Sequence, residues 1–257
     1  MIALITPTGF RRQQIELCNK WMRRQTYTGE VLWLIIDDAN PVTTEKVGLN
    51  FPDNWTIEKI YPKPAWKPGW NTQGRNISEG VNRLPEDIEA IFIIEDDDYY
   101  KPQYLERMMF HLGDNLAIGE THTIYYNVFW RRYFVNPNVT HVSLFQLCFR
   151  PELLPVFRSC YNEQFIDFIF YQRLYERGFK KQIGFFREGN LAVGIKGMPG
   201  RGGIGAGHKR MAGFIQDVNL RYLKSIIGDN VKEYERYYGI SNNVRKPLFV
   251  KQGIRKR

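Results

Sequence analysis

Ile91-Phe-Ile-Ile-Glu-Asp-Asp-Asp-Tyr-Tyr100 is the stretch on which the reading of the chain turns. Four apolar residues run directly into four acids. The apolar half has the pattern of a strand buried on both faces of a parallel sheet. The acidic half puts Glu95, Asp96, Asp97 and Asp98 where that strand ends. Adjacent carboxylates repel one another and resist burial. A hard divalent cation, Mg²⁺ or Mn²⁺, takes oxygen ligands and relieves both costs. Alternate residues of an extended segment face one side, so Asp96 and Asp98 are expected to share an ion while Asp97 points elsewhere. The bland alternative is a solvated acidic turn, and the apolar run in front of the acids weighs against it.

Two more strand ends carry polar groups. Ile2-Ala-Leu-Ile5 reads as a strand ending at Thr6-Pro7-Thr8, and Val31-Leu-Trp-Leu-Ile-Ile36 runs into Asp37 and Asp38. The segment between them, Arg11 to Gln25, has helical spacing at Ile15, Cys18 and Met22. Strand–helix–strand order implies a parallel sheet, whose carboxyl edge is where open α/β folds bind ligands. Thr6, Thr8, Asp38 and Asp96 therefore converge on one edge. Arg75, read as lying on a loop before a helix from Ile77 to Leu84, is placed to pair with phosphate. Further along, His141 to Phe149 reads as a strand and Phe214 to Gly228 as a helix. The fold class is α/β, in one domain.

Asp167 stands among six apolar residues in Phe165-Ile-Asp-Phe-Ile-Phe-Tyr171. A helix apolar nearly all round is buried, and a buried acid has a partner or a raised pKa. Raised basicity suits a general base. Glu163 lies four residues earlier and is expected on the same face. The structural alternative is an ion pair between Asp167 and Arg173. Gly197 to Gly207 holds six glycines. Its Gly200-Arg-Gly-Gly-Ile-Gly205 matches a dinucleotide fingerprint in letters, but no strand–helix unit frames it. A basic lid over a diphosphate, with Arg201 and Lys209 on phosphate, fits better. His208 beside it is a candidate metal ligand or phosphate contact.

The motifs together resemble the inverting family 2 glycosyltransferases of the GT-A fold, over about residues 2 to 178. Ile2-Ala-Leu-Ile-Thr-Pro-Thr-Gly-Phe-Arg11 resembles the opening strand and loop. Leu34-Ile-Ile-Asp-Asp-Ala-Asn40 resembles the second-strand motif, with Ala39 and Asn40 replacing its usual last two residues. Gly74-Arg75-Asn76 resembles the motif beside the nucleotide. Ile94-Glu-Asp-Asp-Asp-Tyr-Tyr100 is similar to the DxD motif. Asp167 with Arg173-Leu174 resembles the helix of the catalytic base, with Ile166 where a glutamate is usual. The resemblance implies a nucleoside-diphosphate sugar donor, a divalent metal on Asp98 with Asp96 assisting, and Asp167 as base. It also suggests a donor half over residues 1–115, an acceptor half with the lid over 116–212, and helices with a basic tail over 213–257.

The chain of 257 residues carries a net charge of +9, with no acid between Gly189 and Gln216 and six basic residues from Arg245 to Arg257. Such an excess implies an anionic partner. Together with 15% aromatic residues it favours DNA, with a hydroxymethylated base flipped into the site. Glu163, Tyr126, Trp130 and Arg131 are the candidate acceptor contacts. A cell-envelope or protein acceptor is the alternative. A nucleotidyltransferase would need a glycine-rich phosphate loop near the N-terminus, where the chain has only Gly9; a non-catalytic nucleic-acid-binding module would not need the acids. No apolar run reaches the length of a membrane span, and Met1-Ile-Ala-Leu-Ile reads as a strand rather than a signal peptide. Cys18, Cys148 and Cys160 have no metal-ligand spacing, so they are expected to be reduced core residues of a cytoplasmic protein.

Overall fold

The computed structural model describes residues 1–39, 44–203 and 213–239. Strand β1 (Ile2–Thr8), helix α1 (Arg12–Met22) and β2 (Val31–Asp37) make the first parallel crossover. β3 (Trp55–Ile60) adds to β2; α2 (Gln73–Val81) then returns the chain to β4 (Ala90–Ile93), which pairs with β1 on its other side. The short β5 (Tyr99–Tyr100) and α3 (Tyr104–Leu112) follow. Next come β6 (Ala117–Glu120), the hairpin β7 (Thr123–Asn127) and β8 (Arg132–Asn136), and β9 (Leu147–Phe149). α4 (Leu154–Arg158), α5 (Ile166–Glu176), β10 (Ile183–Phe186) and β11 (Ala192–Lys196) lead to β12 (Ile215–Gln216) and α6 (Arg221–Ile227).

The main sheet has the order β10-β6-β9-β4-β1-β2-β3, and β12-β8-β7-β11-β5 form a second sheet. β9 runs antiparallel between β4 and β6, so the main sheet is mixed around one reversed strand. β1 and β2 are buried along their whole length, as their unbroken apolar runs require. Alternate residues serve two cores. Ile2 and Leu4 pack with Trp21 and Trp33 on one face, while Ala3, Ile5, Ile91 and Ile93 pack with Ile77 and Val81 on the other. Truncating a fully buried aliphatic side chain costs about 2–5 kcal/mol. Ile93→Ala, in the strand that carries the acids, is therefore expected to lower unfolding free energy by about that much in urea titration; a loss below about 1 kcal/mol would contradict this packing.

Several boundaries differ from the sequence expectation for physical reasons. β1 continues through Pro7 to Thr8, because β4 pairs only as far as Ile5 and the missing Pro7 donor falls beyond it. α2 begins at Gln73, so Arg75 lies in its first turn rather than on a loop. A 3₁₀ turn, Leu144–Gln146, shortens the strand expected from His141 to the three residues of β9. Near the C-terminus, Asn219 and Leu220 have positive φ, and the Asp217 carboxylate accepts the amides of Tyr222 and Leu223 at 2.8 and 3.0 Å. The expected long helix is therefore reduced to α6. Among the described residues no helix is long and apolar enough to cross a membrane, and the three cysteines are free and buried.

Candidate functional site

The carboxyl ends of β1, β2 and β4 lie side by side, and two carboxylate groups are built there. The first is the acid run after β4. Regular strand geometry stops at Ile93 and Asp96-Asp97 form a turn, so the alternation of an extended chain does not apply. Asp96 turns back to β1, where the Thr8 hydroxyl donates to its Oδ2 at 2.6 Å. The Arg11 guanidinium, between β1 and α1, pairs with Asp96 at 2.9 Å and Asp97 at 2.6 Å. Glu95, Asp97 and Asp98 instead face one another, with oxygens within 4.8 Å. The Lys196 ammonium, at the end of β11, lies 2.8 Å from Asp98, 3.2 Å from Asp97 and 3.8 Å from Glu95. The Ile195 amide also donates to Asp98 Oδ1 at 2.9 Å, while the buried Asp98 Oδ2 has no hydrogen-bond partner.

Burial pushes Asp96 up to about 6, against the lowering pull of Arg11. Burial likewise raises Asp98 well above the carboxylate range, opposed chiefly by Lys196. For Lys196 burial works the other way, but Asp97 and Asp98 outweigh it and hold the ammonium well above its ordinary pKa. The three-carboxylate set fits a hard cation: its donors are all oxygens, and one buried oxygen is left unpartnered.

The second group centres on Asp38, which is 1% exposed at the end of β2. Arg201 donates to Asp38 Oδ1 at 3.0 Å and to the Thr72 hydroxyl at 2.8 Å; Thr72 itself donates to Asp38. Arg75 reaches Asp38 Oδ2 at 3.3 Å. The Arg201 guanidinium lies over the Trp66 ring at 4.7 Å, and Gln14 of α1 holds the preceding Pro199 carbonyl at 2.8 Å. The segment after β11 thus crosses to the β2 edge. Gly9 is required beneath it, since a Cβ there would lie 2.0 Å from Asp38 Oδ1.

Asp167 sits half-buried in the first turn of α5. Its carboxyl is pushed up to about 6 by burial, opposed by backbone amides including that of Leu144 and reinforced by the charge of Glu95. Arg173 is engaged elsewhere: it pairs with Glu163 at 2.7 Å and donates to the Ser159 carbonyl. Glu163 precedes α5 and does not share a helical face with Asp167. With Arg75, Arg158 and Tyr161 it lines a cleft of about 580 Å³ between α2 and the loop before α5. At Gly74 these two elements touch, and a Cβ would lie 1.8 Å from the Tyr161 carbonyl oxygen.

Solved structures with this arrangement of elements are known. S. aureus TarS 1-349 in complex with UDP superposes with a TM-score of 0.53 at 12% identity, over 76% of this chain and 60% of that one. The same protein in complex with UDP-GlcNAc gives 0.53 at 13% identity, over 82% and 62%. The chain has the GT-A fold. A further TarS structure gives 0.52 at 14% identity over 76% of this chain, which spans only 36% of it. No protein-family model matches the chain, and no curated protein does.

Within this GT-A frame the residues singled out from the sequence separate. Thr8, Asp96, Asp38, Arg75 and Arg201 meet along the carboxyl edge. Thr6 is fully buried and its hydroxyl is taken by the Trp33 indole at 2.9 Å, a core contact. The acid that joins Asp98 in the oxygen cluster is Asp97, with Glu95, rather than Asp96. Tyr126 is 0% exposed and donates to Asp217 at 3.0 Å, so packing accounts for it and it offers no stacking face. Trp130 and Arg131 lie on the β7–β8 turn, where Arg131 stacks over Tyr238 at 4.2 Å. His208 and Lys209 lie outside the described residues. Arg11 and Lys196 are the site residues that motif reading missed. Lys196 had one signal: Ala192-Val-Gly-Ile-Lys196 is an apolar run ending in a charge, the pattern that marked the acids.

Proposed function

We propose that the protein transfers a sugar from a nucleoside diphosphate, most simply UDP, to a hydroxyl acceptor with inversion at the anomeric carbon. The observation that carries this reading is the junction of the strand ends: Asp38 and the acids Glu95 to Asp98 share the edge formed by β4, β1 and β2. Asp38 and Arg75 are assigned to the nucleoside. Arg201 lies beside them and leaves Asp38 for the diphosphate when donor arrives. Glu95, Asp97 and Asp98 would hold Mg²⁺ or Mn²⁺, which when bound neutralises charge on the leaving diphosphate. Asp167 accepts the proton of the attacking hydroxyl, and the segment through Arg201 excludes water. The UDP and UDP-GlcNAc complexes of TarS support the choice of donor.

For the acceptor, the net charge of +9 supports an anionic molecule. DNA bearing a hydroxymethylated base is the first choice, with a cell-envelope polymer second. Incubation with Mn²⁺ and a panel of nucleotide sugars is expected to release UDP from at least one of them. Release from none sinks the transferase reading. Salt-sensitive binding to duplex DNA is expected as well, and its absence moves the acceptor to the envelope polymer.

A further inference from the structure

Lys196 occupies an unusual place for a basic residue. Its side chain is 7% exposed, and its ammonium stands among Glu95, Asp97 and Asp98, the same three carboxylates whose oxygens approach one another within 4.8 Å. The sheet puts it there. β11 pairs antiparallel with β5, the strand that directly continues the acid run, through Ala192–Tyr100 and Val193–Tyr99. On its other side β11 pairs with β7, where Lys196 is in register with Asn127. β11 is thus held by β5 at its start and by β7 along its end, where Lys196 lies, so the position of the lysine is not a chance of side-chain reach.

We propose that Lys196 is the resident counter-ion of the cation site and that divalent metal binding is an exchange. The ammonium holds the three carboxylates together, and the metal enters only as the ammonium releases the same oxygens. This rests on the donor-site reading above. Three mutually close carboxylates cannot all stay ionised in a buried site without a cation. A metal bound at about 2.1 Å from its oxygens cannot share their centre with an ammonium in contact with them. Lysine suits such an exchange because its charge is compact and its stem is flexible. Arg11, whose guanidinium bridges Asp96 and Asp97, stays and keeps those two acids in place. Once displaced, the Lys196 ammonium still lies within a side chain's length of the cation, where it meets an oxyanion bound to it. Metal entry and diphosphate binding are thereby linked.

The test is Mn²⁺ binding by the full chain without any donor, read from the electron paramagnetic resonance signal of free Mn²⁺. Lys196→Met removes the competing charge and is expected to bind Mn²⁺ at least about tenfold more tightly than wild type. Lys196→Arg keeps the charge and the fold but substitutes a planar fork that pairs bidentately, and is expected to bind at least about tenfold more weakly. A lysine that serves only the structure predicts the opposite for Lys196→Met: the cluster loosens and Mn²⁺ binding weakens or stays as in wild type. That result overturns the proposal, as does no Mn²⁺ binding by either protein. If Lys196→Met does not fold, equal affinity of Lys196→Arg and wild type overturns it. Donor turnover by the wild type separates the two readings. UDP release together with an unchanged Mn²⁺ affinity in Lys196→Met sinks the exchange and leaves the transferase. No UDP release sinks the transferase itself.

Discussion

Asp167→Asn is expected to lower sugar transfer by about 10²–10⁴-fold, the usual contribution of a positioned general base, while binding of the nucleotide sugar is unchanged. The split is expected because Asp167 lies on α5 and not on the strand ends that carry Asp38 and Asp96. The measurements are transfer rate and donor affinity for the same variant; loss of both together would place Asp167 in donor binding instead. The wild-type pH profile follows from the carboxyl being pushed up to about 6 by burial. The base proposed at Asp167 works only when ionised, so kcat/KM is expected to rise with pH through about 6 and level off above it. The same shift acts on stability with a definite sign. A folded pKa above the unfolded value means that the native state binds the proton more tightly, so stability from this group is full below the unfolded pKa and lost as pH rises through about 6. Asp167→Asn is therefore expected to be more stable than wild type at pH 8, by about 1 kcal/mol after allowance for partial exposure, with the gain vanishing in acid. A base that strains its own fold behaves this way, whereas an acid that ties the helix down would give the reverse.

Asp38→Ala is the second large effect, and it should strike both stability and donor binding. Asp38 is 1% exposed and takes hydrogen bonds from Thr72, Arg75 and Arg201. Removing one partner of a buried charge pair costs about 3–5 kcal/mol, because the other charge stays behind. Here Arg75 and Arg201 are 28% and 19% exposed, so water recovers part of that and the low end, about 3 kcal/mol, is expected in urea unfolding. Arg201→Ala is expected to cost less, since Asp38 then keeps Arg75 and Thr72. UDP affinity should fall in Asp38→Ala at temperatures where the variant is fully folded. A variant that binds UDP as wild type does would remove Asp38 from the nucleoside site.

The part of this site legible in the sequence was local. An apolar run that ends in acids reports both a buried strand and where it surfaces, so the order of residues alone places β1, β2, β4 and Thr8, Asp38 and Asp98 on one edge. Asp167 stands out in the sequence as a lone carboxylate in a helix expected to be buried nearly all round; in the structure it is half-buried and its neighbour Phe168 is 53% exposed. The cation at the centre was not legible, because Lys196 and Asp98 are 98 residues apart and meet only through the pairing of β11 with β5. The division of the acids failed for a geometric reason: alternation holds in a strand, and the chain turns at Asp96. Aromatic content misled in the same way. Tyr126 carries the letters of a stacking residue, but a parallel neighbour in β11 and the Asp217 carboxylate enclose it in the core.

The contact at Gly74 has a consequence for distance. α2 carries Arg75, and the loop it touches at Tyr161 leads into the helix of Asp167. Main chain rests on main chain there, with no side chain between that could swing or compress. The spacing from the start of α2, with Arg75, to the start of α5, with Asp167, is accordingly a fixed gauge, set by a missing methyl group. A single carbon added at Gly74 would act as a shim: it would push α2 and the loop into α5 apart without changing any other residue of either.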